Sequence, residues 1–252
     1  AVLLLVVALA RPQFGSKLKE VTRTGIEMML AVDVSNSMLA QDFEPSRLER
    51  TKFAIDRLTQ QLEQDRIGLI VFAGDAYMQL PITSDYVAAR SFAAQISPTM
   101  VSKQGTAIGA AIDLAANSFS SGSEGSRVIV VISDGENHED DALAAAKAAA
   151  EKGIRIYTIG IGTPEGAPIS IDGEFIKDEQ GDMVVSKLDE QMLEQIALTT
   201  GGAYIRATNR SLGLDEIVQK INEVEKKELT STVFEDFNEQ YQYLIGLALA
   251  LL

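Results

Sequence analysis

The sequence predicts an α/β fold in which a doubly wound, mostly parallel sheet has helices on both faces and one antiparallel edge strand. Short apolar runs without polar alternation recur along the chain, which is typical of strands covered on both faces. Segments with apolar residues at helical spacing separate these runs. One run, at residues 76–80, follows another directly after the Gly74-Asp75 turn and therefore predicts an antiparallel neighbour.

The first strand is predicted at residues 25–34, and the first helix follows a break at residues 42–45. Ser46 and Glu49 form the pattern of a capping box at the start of this helix. Its apolar stripe is expected to contain Leu48, Phe53, Ile55, Leu58 and Leu62. The side chains left to water are expected to be Arg47, Arg50, Asp56 and Gln60.

The later elements continue the alternation of strand and helix. Buried strands are predicted at residues 67–72 and 128–132, a further strand at 154–160, and a short strand at 203–206. Helices are predicted between Asp85 and Pro98, from Gly105 onward, at residues 141–152 and at residues 189–198. The last helix carries an apolar stripe of Leu214, Ile217, Ile221 and Val224.

The segment between Gly162 and Val185 interrupts this alternation, because glycine and proline break it into short pieces. It predicts an inserted hairpin region over residues 163–186. We expect one globular domain at residues 25–226, followed by a charged linker at residues 227–240.

Both ends of the chain carry apolar runs that suggest membrane anchors. Residues 1–12 and residues 241–252 each fall short of the roughly 20 apolar residues that a spanning helix needs. Tyr241 and Tyr243 are typical of a membrane interface. We interpret the first run as a truncated transmembrane anchor and the second as the start of a C-terminal transmembrane helix. The alternative is a signal-peptide remnant and a buried core helix.

The composition of the 252-residue chain excludes several classes of function. A formal net charge of -14 argues against a nucleic-acid-binding protein, which needs Lys and Arg to neutralise phosphates. Cysteine is absent, so the chain has no disulfide, no thiolate nucleophile and no zinc–sulfur site. His138 is the only histidine, and its acidic neighbours indicate a solvated loop rather than a Ser-His-Asp triad.

The most informative segment is Asp33-Val34-Ser35-Asn36-Ser37, which directly follows the apolar run of the first strand. Further oxygen atoms come from Thr106 at the start of a helix and from Asp134 at the end of a buried strand. Ligands of open α/β sheets bind outside the carboxyl ends of the strands, where the winding direction reverses. Because carboxylates and hydroxyls are hard donors, these residues predict a site for Mg²⁺, with Mn²⁺ or Ca²⁺ as alternatives.

Each residue of this set also has an ordinary structural interpretation. Ser35 and Ser37 suit a helix cap, Thr106 suits an N-cap, and Asp134 with Gly135 suits a turn. The prediction of a metal site therefore depends on five donors meeting at one point: Asp33, Ser35, Ser37, Thr106 and Asp134.

The pattern Asp-x-Ser-x-Ser with a distant Thr and a distant Asp resembles the metal-ion-dependent adhesion site (MIDAS) of von Willebrand factor A (VWA) domains. The resemblance covers roughly residues 25–226. It implies that Ser35, Ser37 and Thr106 are direct or near-direct metal ligands. In the family the two aspartates, here Asp33 and Asp134, often contact the metal through water. It also implies that the bound cation recruits an acidic side chain of a partner protein.

A narrower resemblance is to the bacterial aerotolerance (Bat) membrane proteins. It is carried by the apolar ends and by Ala10-Arg11-Pro12-Gln13, Phe72-Ala73-Gly74-Asp75-Ala76-Tyr77 and Ser133-Asp134-Gly135-Glu136-Asn137. Bat proteins belong to operons with a MoxR-type AAA+ ATPase. The resemblance implies a domain anchored in the bacterial inner membrane through terminal helices, facing the extracytoplasmic side. Its partners would be membrane-embedded members of a stress-resistance or aerotolerance complex and the MoxR-type ATPase.

Two other functions compete with this one. A metal-dependent phosphohydrolase would use Asp33 as its nucleophile, but such enzymes usually carry a second acid two residues on, where this chain has Ser35. The sequence also lacks the phosphate-binding Gly-x-x-x-x-Gly-Lys-Ser/Thr motif. The other alternative is a structural scaffold without a working metal site. We expect a binding module and not an enzyme.

Overall fold

The structure is a computed structural model, and it describes residues 13–16, 25–62, 65–119, 126–137, 139–171, 173–232, 237–239 and 249. Residues 24–219 form one compact unit. A second unit draws on the residues before and after it, and there Gln13–Ser16 pairs with Phe237–Glu239 as two antiparallel strands.

A six-stranded sheet forms the centre of the first unit. Its strands are β1 (Glu27–Asp33), β2 (Arg66–Phe72), β3 (Ala76–Thr83), β4 (Arg127–Ser133), β5 (Arg155–Gly160) and β6 (Tyr204–Arg206). The order across the sheet is β6-β5-β4-β1-β2-β3, and every neighbouring pair is parallel except β2 with β3. The predicted mostly parallel sheet with one antiparallel edge strand is therefore confirmed.

Among the described residues, six α-helices accompany this sheet. They are α1 (Arg47–Thr59), α2 (Tyr86–Gln95), α3 (Ile108–Ala116), α4 (Ala142–Glu151), α5 (Glu190–Thr199) and α6 (Leu214–Thr232). One hydrophobic cluster joins α3, α4 and α5 to alternate residues of β1, Met29 and Ala31. All seven residues of β1 are buried, including Met28 and Leu30, which point to the face opposite Met29 and Ala31. Both faces of the central strand are therefore covered.

The winding of the sheet reverses beside β1. The chain leaves β1 through α1 to reach β2 on one side, and it later returns to place β4 on the other side. Val32 lies opposite Ile132 in the parallel register, so the next residues, Asp33 and Ser133, end their strands side by side. This reversal creates a crevice at the carboxyl ends of β1 and β4, which is where open α/β sheets bind ligands.

Helix α1 begins as predicted, but the burial of two of its side chains is the reverse of what the helical pattern predicts. Ser46 Oγ accepts a hydrogen bond from the backbone N–H of Glu49 at 3.2 Å, which is one half of a capping box. Arg47, expected to face water, is fully buried. Phe53, expected in the apolar stripe, is 60% exposed. Arg47 is buried by bonds to residues distant in sequence, which helical periodicity does not predict. Phe53 lies on the part of the helix surface that the rest of the domain leaves exposed.

Short strands occupy the region predicted as an inserted hairpin. Ala167–Pro168 pairs with Val185–Ser186, and Ser170–Ile171 pairs with Glu174–Phe175, all antiparallel. Helix α6 buries Leu214, Ile217 and Ile221, and it continues to Thr232, beyond the point where we expected the linker to start.

The two expected membrane anchors, at residues 1–12 and 241–252, lie outside the described residues except for Leu249. Within the part of the chain that the structure describes, no helix combines the length and the apolar character that a membrane crossing requires.

Candidate metal centre

Asp33 closes strand β1 and is fully buried. Its Oδ1 accepts a hydrogen bond from the backbone N–H of Ser35 at 2.8 Å, and its Oδ2 accepts one from Ser133 Oγ at 2.6 Å. The backbone N–H of Val34 donates to the carbonyl of Phe72 at 2.8 Å and so keeps the turn aligned with β2. The carboxylate is thereby fixed at the carboxyl edge of the sheet.

Ser35 and Ser37 follow in a tight turn, and both are buried. Their hydroxyl oxygens lie 2.9 Å apart. A short 3₁₀ helix, Asn36–Leu39, forms here, and the Ser35 side chain makes no capping hydrogen bond to it. The capping interpretation of Ser35 is therefore wrong, and the two hydroxyls are directed at each other instead.

Thr106 is buried in the loop before α3, and its neighbours attach that loop to the rest of the crevice. The backbone N–H of Asn36 donates to Gln104 Oε1 at 3.1 Å, and Ala107 N–H donates to the Ala73 carbonyl at 2.7 Å. The loop that carries Thr106 is therefore joined to the Ser35–Ser37 turn and to the end of β2.

The N-terminus of helix α3 is capped by side chains from a distant loop, not by residues next to the helix in the sequence. The residue at its N-cap is Ala107, not Thr106, so the N-cap interpretation of Thr106 is wrong. The Asp140 carboxylate accepts hydrogen bonds from the backbone N–H groups of Gly109 (3.0 Å) and Ala110 (2.7 Å), and Asn137 Oδ1 accepts one from Ile108 (3.2 Å). The Thr106 hydroxyl is thereby spared from capping.

Asp134 follows β4 and is fully buried. Its Oδ2 accepts hydrogen bonds from Arg47 Nη1 at 3.1 Å and from Ser186 Oγ at 2.9 Å. Gly135 next to it has φ +80°, and a Cβ there would lie 2.4 Å from the Asp189 carbonyl oxygen. The backbone at residues 134–137 forms no hydrogen-bonded turn, so the turn predicted at Asp134-Gly135 is absent. The Asp134 carboxylate is held instead by Arg47 and Ser186.

Burial and a neighbouring carboxylate disfavour the charged form of Asp33. Burial, followed by the negative charge of Asp134, raises the pKa of Asp33 to about 7, although its hydrogen bonds to Ser133 and Ser35 act in the opposite direction. Within the described residues no Lys or Arg pairs with Asp33, whereas Arg47 pairs with Asp134. Negative charge at Asp33 is therefore left for a cation to neutralise.

Arg47 and Ser186 contact Asp134 in this site, and the sequence pattern predicted neither of them there. Besides Asp134, the Arg47 guanidinium donates to both carboxylate oxygens of Asp42 at 2.8 Å and to Ser186 Oγ at 2.8 Å. Burial opposes the charged form of Asp42, but the hydrogen bonds and charge of Arg47, aided by Thr163, lower its pKa overall. The position of Arg47 in the sequence gave one indication of this role. A positive charge at the N-terminus of a helix interacts unfavourably with the helix dipole, so an arginine there suggests a compensating acidic partner elsewhere in the fold.

The donor set suits a hard divalent cation. Hydrogen bonds connect Asp33, Ser35, Ser133 and Ser37 in one continuous group, and the loop of Thr106 is tied to the same turn. No three His, Cys, Asp or Glu side chains gather around one point in the described ranges. The five candidate residues include only two carboxylates, so their chemistry is that of a hydroxyl-rich oxygen site.

Comparison with known proteins identifies the family to which this chain belongs. The model of the von Willebrand factor type A domain matches residues 27–220. The crystal structure of an aerotolerance-related membrane protein from Bacteroides fragilis is 52% identical, with a TM-score of 0.76 over 79% of this chain and 100% of that chain. BatB from Bacteroides thetaiotaomicron is 50% identical, with a TM-score of 0.77 over 80% of this chain and 100% of that one.

Two further matches share less of the sequence. An uncharacterized protein of Borreliella burgdorferi is 29% identical over 257 residues, covering 100% of this chain and 74% of its own length. Proximal thread matrix protein 1 from the mussel byssus, described with a zinc-occupied MIDAS motif, shares the fold at 15% identity, with a TM-score of 0.59 over 81% of this chain and 46% of its own. The chain belongs to the von Willebrand factor type A domain family and is similar to the aerotolerance-related Bat proteins.

Proposed function

We propose that the globular domain is a metal-dependent protein-binding module, in which a divalent cation recruits an acidic side chain of a partner. The observation that carries this proposal is the unequal neutralisation of two buried carboxylates at adjacent strand ends. Arg47 pairs with Asp134, but in the described chain no basic side chain pairs with Asp33. A cation beside Asp33 would offset the burial and the negative charge of Asp134, which together raise the pKa of Asp33.

Five residues would hold the cation: Asp33, Ser35, Ser37, Thr106 and Asp134. When bound, Mg²⁺ supplies a positive centre that accepts a carboxylate oxygen from another protein. Asp33 orients the turn by accepting the Ser35 N–H, and Ser35 and Ser37 present two hydroxyl oxygens 2.9 Å apart. Arg47 offsets the charge of Asp134, so the protein alone does not neutralise a divalent ion fully, and an external anion is favoured.

The relatives support a cellular setting for this module. Two similar proteins of known structure are an aerotolerance-related membrane protein and BatB. The module is anchored in the bacterial inner membrane through terminal helices, faces the extracytoplasmic side, and acts in a stress-resistance complex with a MoxR-type ATPase. A metal-dependent pull-down from native membranes, comparing wild type with Asp33→Ala, tests the partners.

Calorimetric titration with Mg²⁺ tests the metal site itself. Ser37→Ala should weaken Mg²⁺ binding by about tenfold or more without unfolding the domain, because it removes one donor. Ser91→Ala is the matched control, since that exposed hydroxyl on α2 bonds only to the Val87 carbonyl. Equal heats for all three proteins would favour the structural scaffold.

Two further measurements separate binding from catalysis. A short peptide with one Asp should bind the chain in Mg²⁺ but not in EDTA, and its Asn analogue should bind in neither. Release of phosphate from generic phosphomonoesters should be absent. Turnover abolished by Asp33→Asn would instead identify a phosphohydrolase.

A further inference from the structure

A cavity of about 270 Å³ lies between helix α1 and the loop that precedes α6, and three arginines line it. Arg50 and Arg57 come from α1, and Arg210 comes from the loop. All the lining residues belong to the compact unit of residues 24–219. We call this space, between Arg50, Arg57 and Arg210, the arginine cavity.

The wall formed by α1 combines positive charge with an accessible aromatic ring. Arg50, Phe53 and Arg57 are three and four residues apart, so they share one face of the helix. Phe53 is 60% exposed, and the Arg57 side chain is 70% exposed. A ligand in the cavity therefore meets a flat apolar surface between two guanidinium groups.

The opposite wall is a loop that the protein itself holds in place. Arg50 Nη2 donates to the Asn209 carbonyl at 2.6 Å, and Gly213 N–H donates to Ser211 Oγ at 3.1 Å. Gly213 has φ +89°, and a Cβ there would lie 2.4 Å from Ile205 Cγ2, so the loop packs closely against β6. The arginine cavity is therefore formed before any ligand enters it.

The lining of the cavity is positive, although the net charge of the chain is -14. Among the described residues, Asp215 is the only acid that lines it, and its Oδ2 lies 3.3 Å from Arg57 Nη2. Neither Arg50 nor Arg210 forms an ion pair within the described part of the chain. Two guanidinium groups are thus left without a carboxylate of the protein.

The acids just outside the cavity do not cancel this charge. Glu49 pairs with Lys52 Nζ at 2.6 Å, and Asp56 Oδ2 accepts a hydrogen bond from Gln60 at 2.9 Å. Glu216 is exposed in the first turn of α6 and does not line the cavity. Even with Glu216 counted, the three guanidinium groups outnumber the carboxylates of that turn.

This arrangement suits a phosphate group better than a carboxylate. A carboxylate has two oxygens and one negative charge, so a single guanidinium can satisfy it. A phosphomonoester carries a charge of about -1.5 to -2 and three acceptor oxygens, so it can bond to several arginines at once. Leu214 and Asp215 at the start of α6 also line the cavity, and the first N–H groups of a helix favour anions.

We propose that the arginine cavity binds a small phosphomonoester that carries a flat apolar group. The phosphate contacts Arg50, Arg57 and Arg210, and the apolar group packs against Phe53. The volume is close to the lower end of the roughly 300–1,000 Å³ of small-molecule sites, which limits the ligand to a small one. None of the five candidate metal residues lines the cavity, so this site is separate from the metal-dependent function.

Calorimetric titration of the full 252-residue chain with phenyl phosphate tests the site. EDTA is present throughout, so that the metal centre does not contribute. Wild type should bind phenyl phosphate saturably, and more tightly than it binds inorganic phosphate or benzoate. Arg57→Gln and Arg210→Gln should each weaken this binding about tenfold, because each removes charge-assisted hydrogen bonds. Phe53→Ser should remove the advantage of phenyl phosphate over inorganic phosphate.

Arg127→Gln is the matched control, since it removes a guanidinium that donates to the Lys152 carbonyl at 2.7 Å and does not line the cavity. It should bind phenyl phosphate as wild type does. Equal weakening by Arg127→Gln would show attraction to general positive charge and overturn the site. So would wild-type affinity in both Arg57→Gln and Arg210→Gln, or no saturable binding by wild type up to about 10 mM. Equal affinities for phenyl phosphate and inorganic phosphate would overturn the role of Phe53.

Discussion

Arg47 Nη1 lies 3.1 Å from Asp134 Oδ2, and both side chains are completely buried. The same guanidinium is bonded to both carboxylate oxygens of Asp42, which is mostly buried as well. One cation therefore compensates two carboxylates, one on the loop after β1 and one at the candidate metal centre. This relationship connects the stability of the domain to the charge state of its site.

Arg47→Met should destabilise the domain strongly, by about 3–5 kcal/mol, because it leaves Asp134 and Asp42 without their shared cation. Urea unfolding at neutral pH measures the change in the free energy of unfolding. Arg57→Met is the control on the same helix, since its side chain is 70% exposed and its ion pair with Asp215 is weak. A change below about 1 kcal/mol for Arg47→Met would contradict the compensation.

The stability contributed by Asp42 should disappear in acid. Its pKa is lowered in the folded protein, so this stability is complete above the unfolded pKa of about 4 and is lost as the pH falls through the lower folded pKa. Unfolding free energies of wild type and Asp42→Asn should therefore converge below pH of about 4. Curves that stay parallel across this window would show that Arg47 does not stabilise the ionised form of Asp42.

Asp33→Asn should separate metal binding from stability. Because burial and Asp134 raise the pKa of Asp33, its ionised form opposes folding near neutral pH when no cation is bound. The variant should therefore melt at or above the wild-type temperature in EDTA and gain little on addition of Mg²⁺, whereas wild type should gain. Thermal melts with and without Mg²⁺ give both values. A variant that Mg²⁺ stabilises as much as wild type would remove Asp33 from the site.

Gly162→Ala should disturb Arg47 directly. Gly162 has φ +141°, and an added Cβ would lie 3.0 Å from Arg47 Cζ. Gly173→Ala provides the control, since that position also has positive φ (+85°) but no atom within 4 Å of the added Cβ. Both variants carry backbone strain of about 1–3 kcal/mol, so the additional loss in Gly162→Ala reports the contact with Arg47. Equal losses in urea unfolding would show that Arg47 accommodates the methyl group.

Asp140→Ala should weaken Mg²⁺ binding although Asp140 is not a proposed ligand. The substitution removes the carboxylate that accepts hydrogen bonds from the first N–H groups of α3. These bonds hold the start of α3 and thereby position the loop that carries Thr106. Asp141→Ala removes the cap of α4 and should lower the stability by a similar amount, about 1 kcal/mol, without affecting Mg²⁺. Calorimetry on both variants distinguishes positioning of Thr106 from a general loss of stability.

Features that depend on local sequence were predictable. The apolar runs give the strands, and the strand ends give Asp33 and Asp134, because parallel strands deliver their last residues to one edge. The burial of Arg47 was not predictable from periodicity, since its partners Asp134 and Ser186 are 87 and 139 residues away. Capping of α3 by Asp140 depends likewise on a loop 31 residues from Gly109.

The insertion leaves and rejoins the domain at nearly one place. Thr163 N–H donates to Asp42 Oδ2 at 3.0 Å, Leu188 N–H donates to the Thr163 carbonyl at 3.1 Å, and Ser186 contacts Arg47. Hydrogen bonds therefore hold its two ends together, and none of these bonds involves the residues between them. Because the entropy of closing a loop rises only slowly with loop length, this position accepts segments of different size. It is a natural graft point, where residues 164–185 can be exchanged for another segment while the central sheet stays as it is.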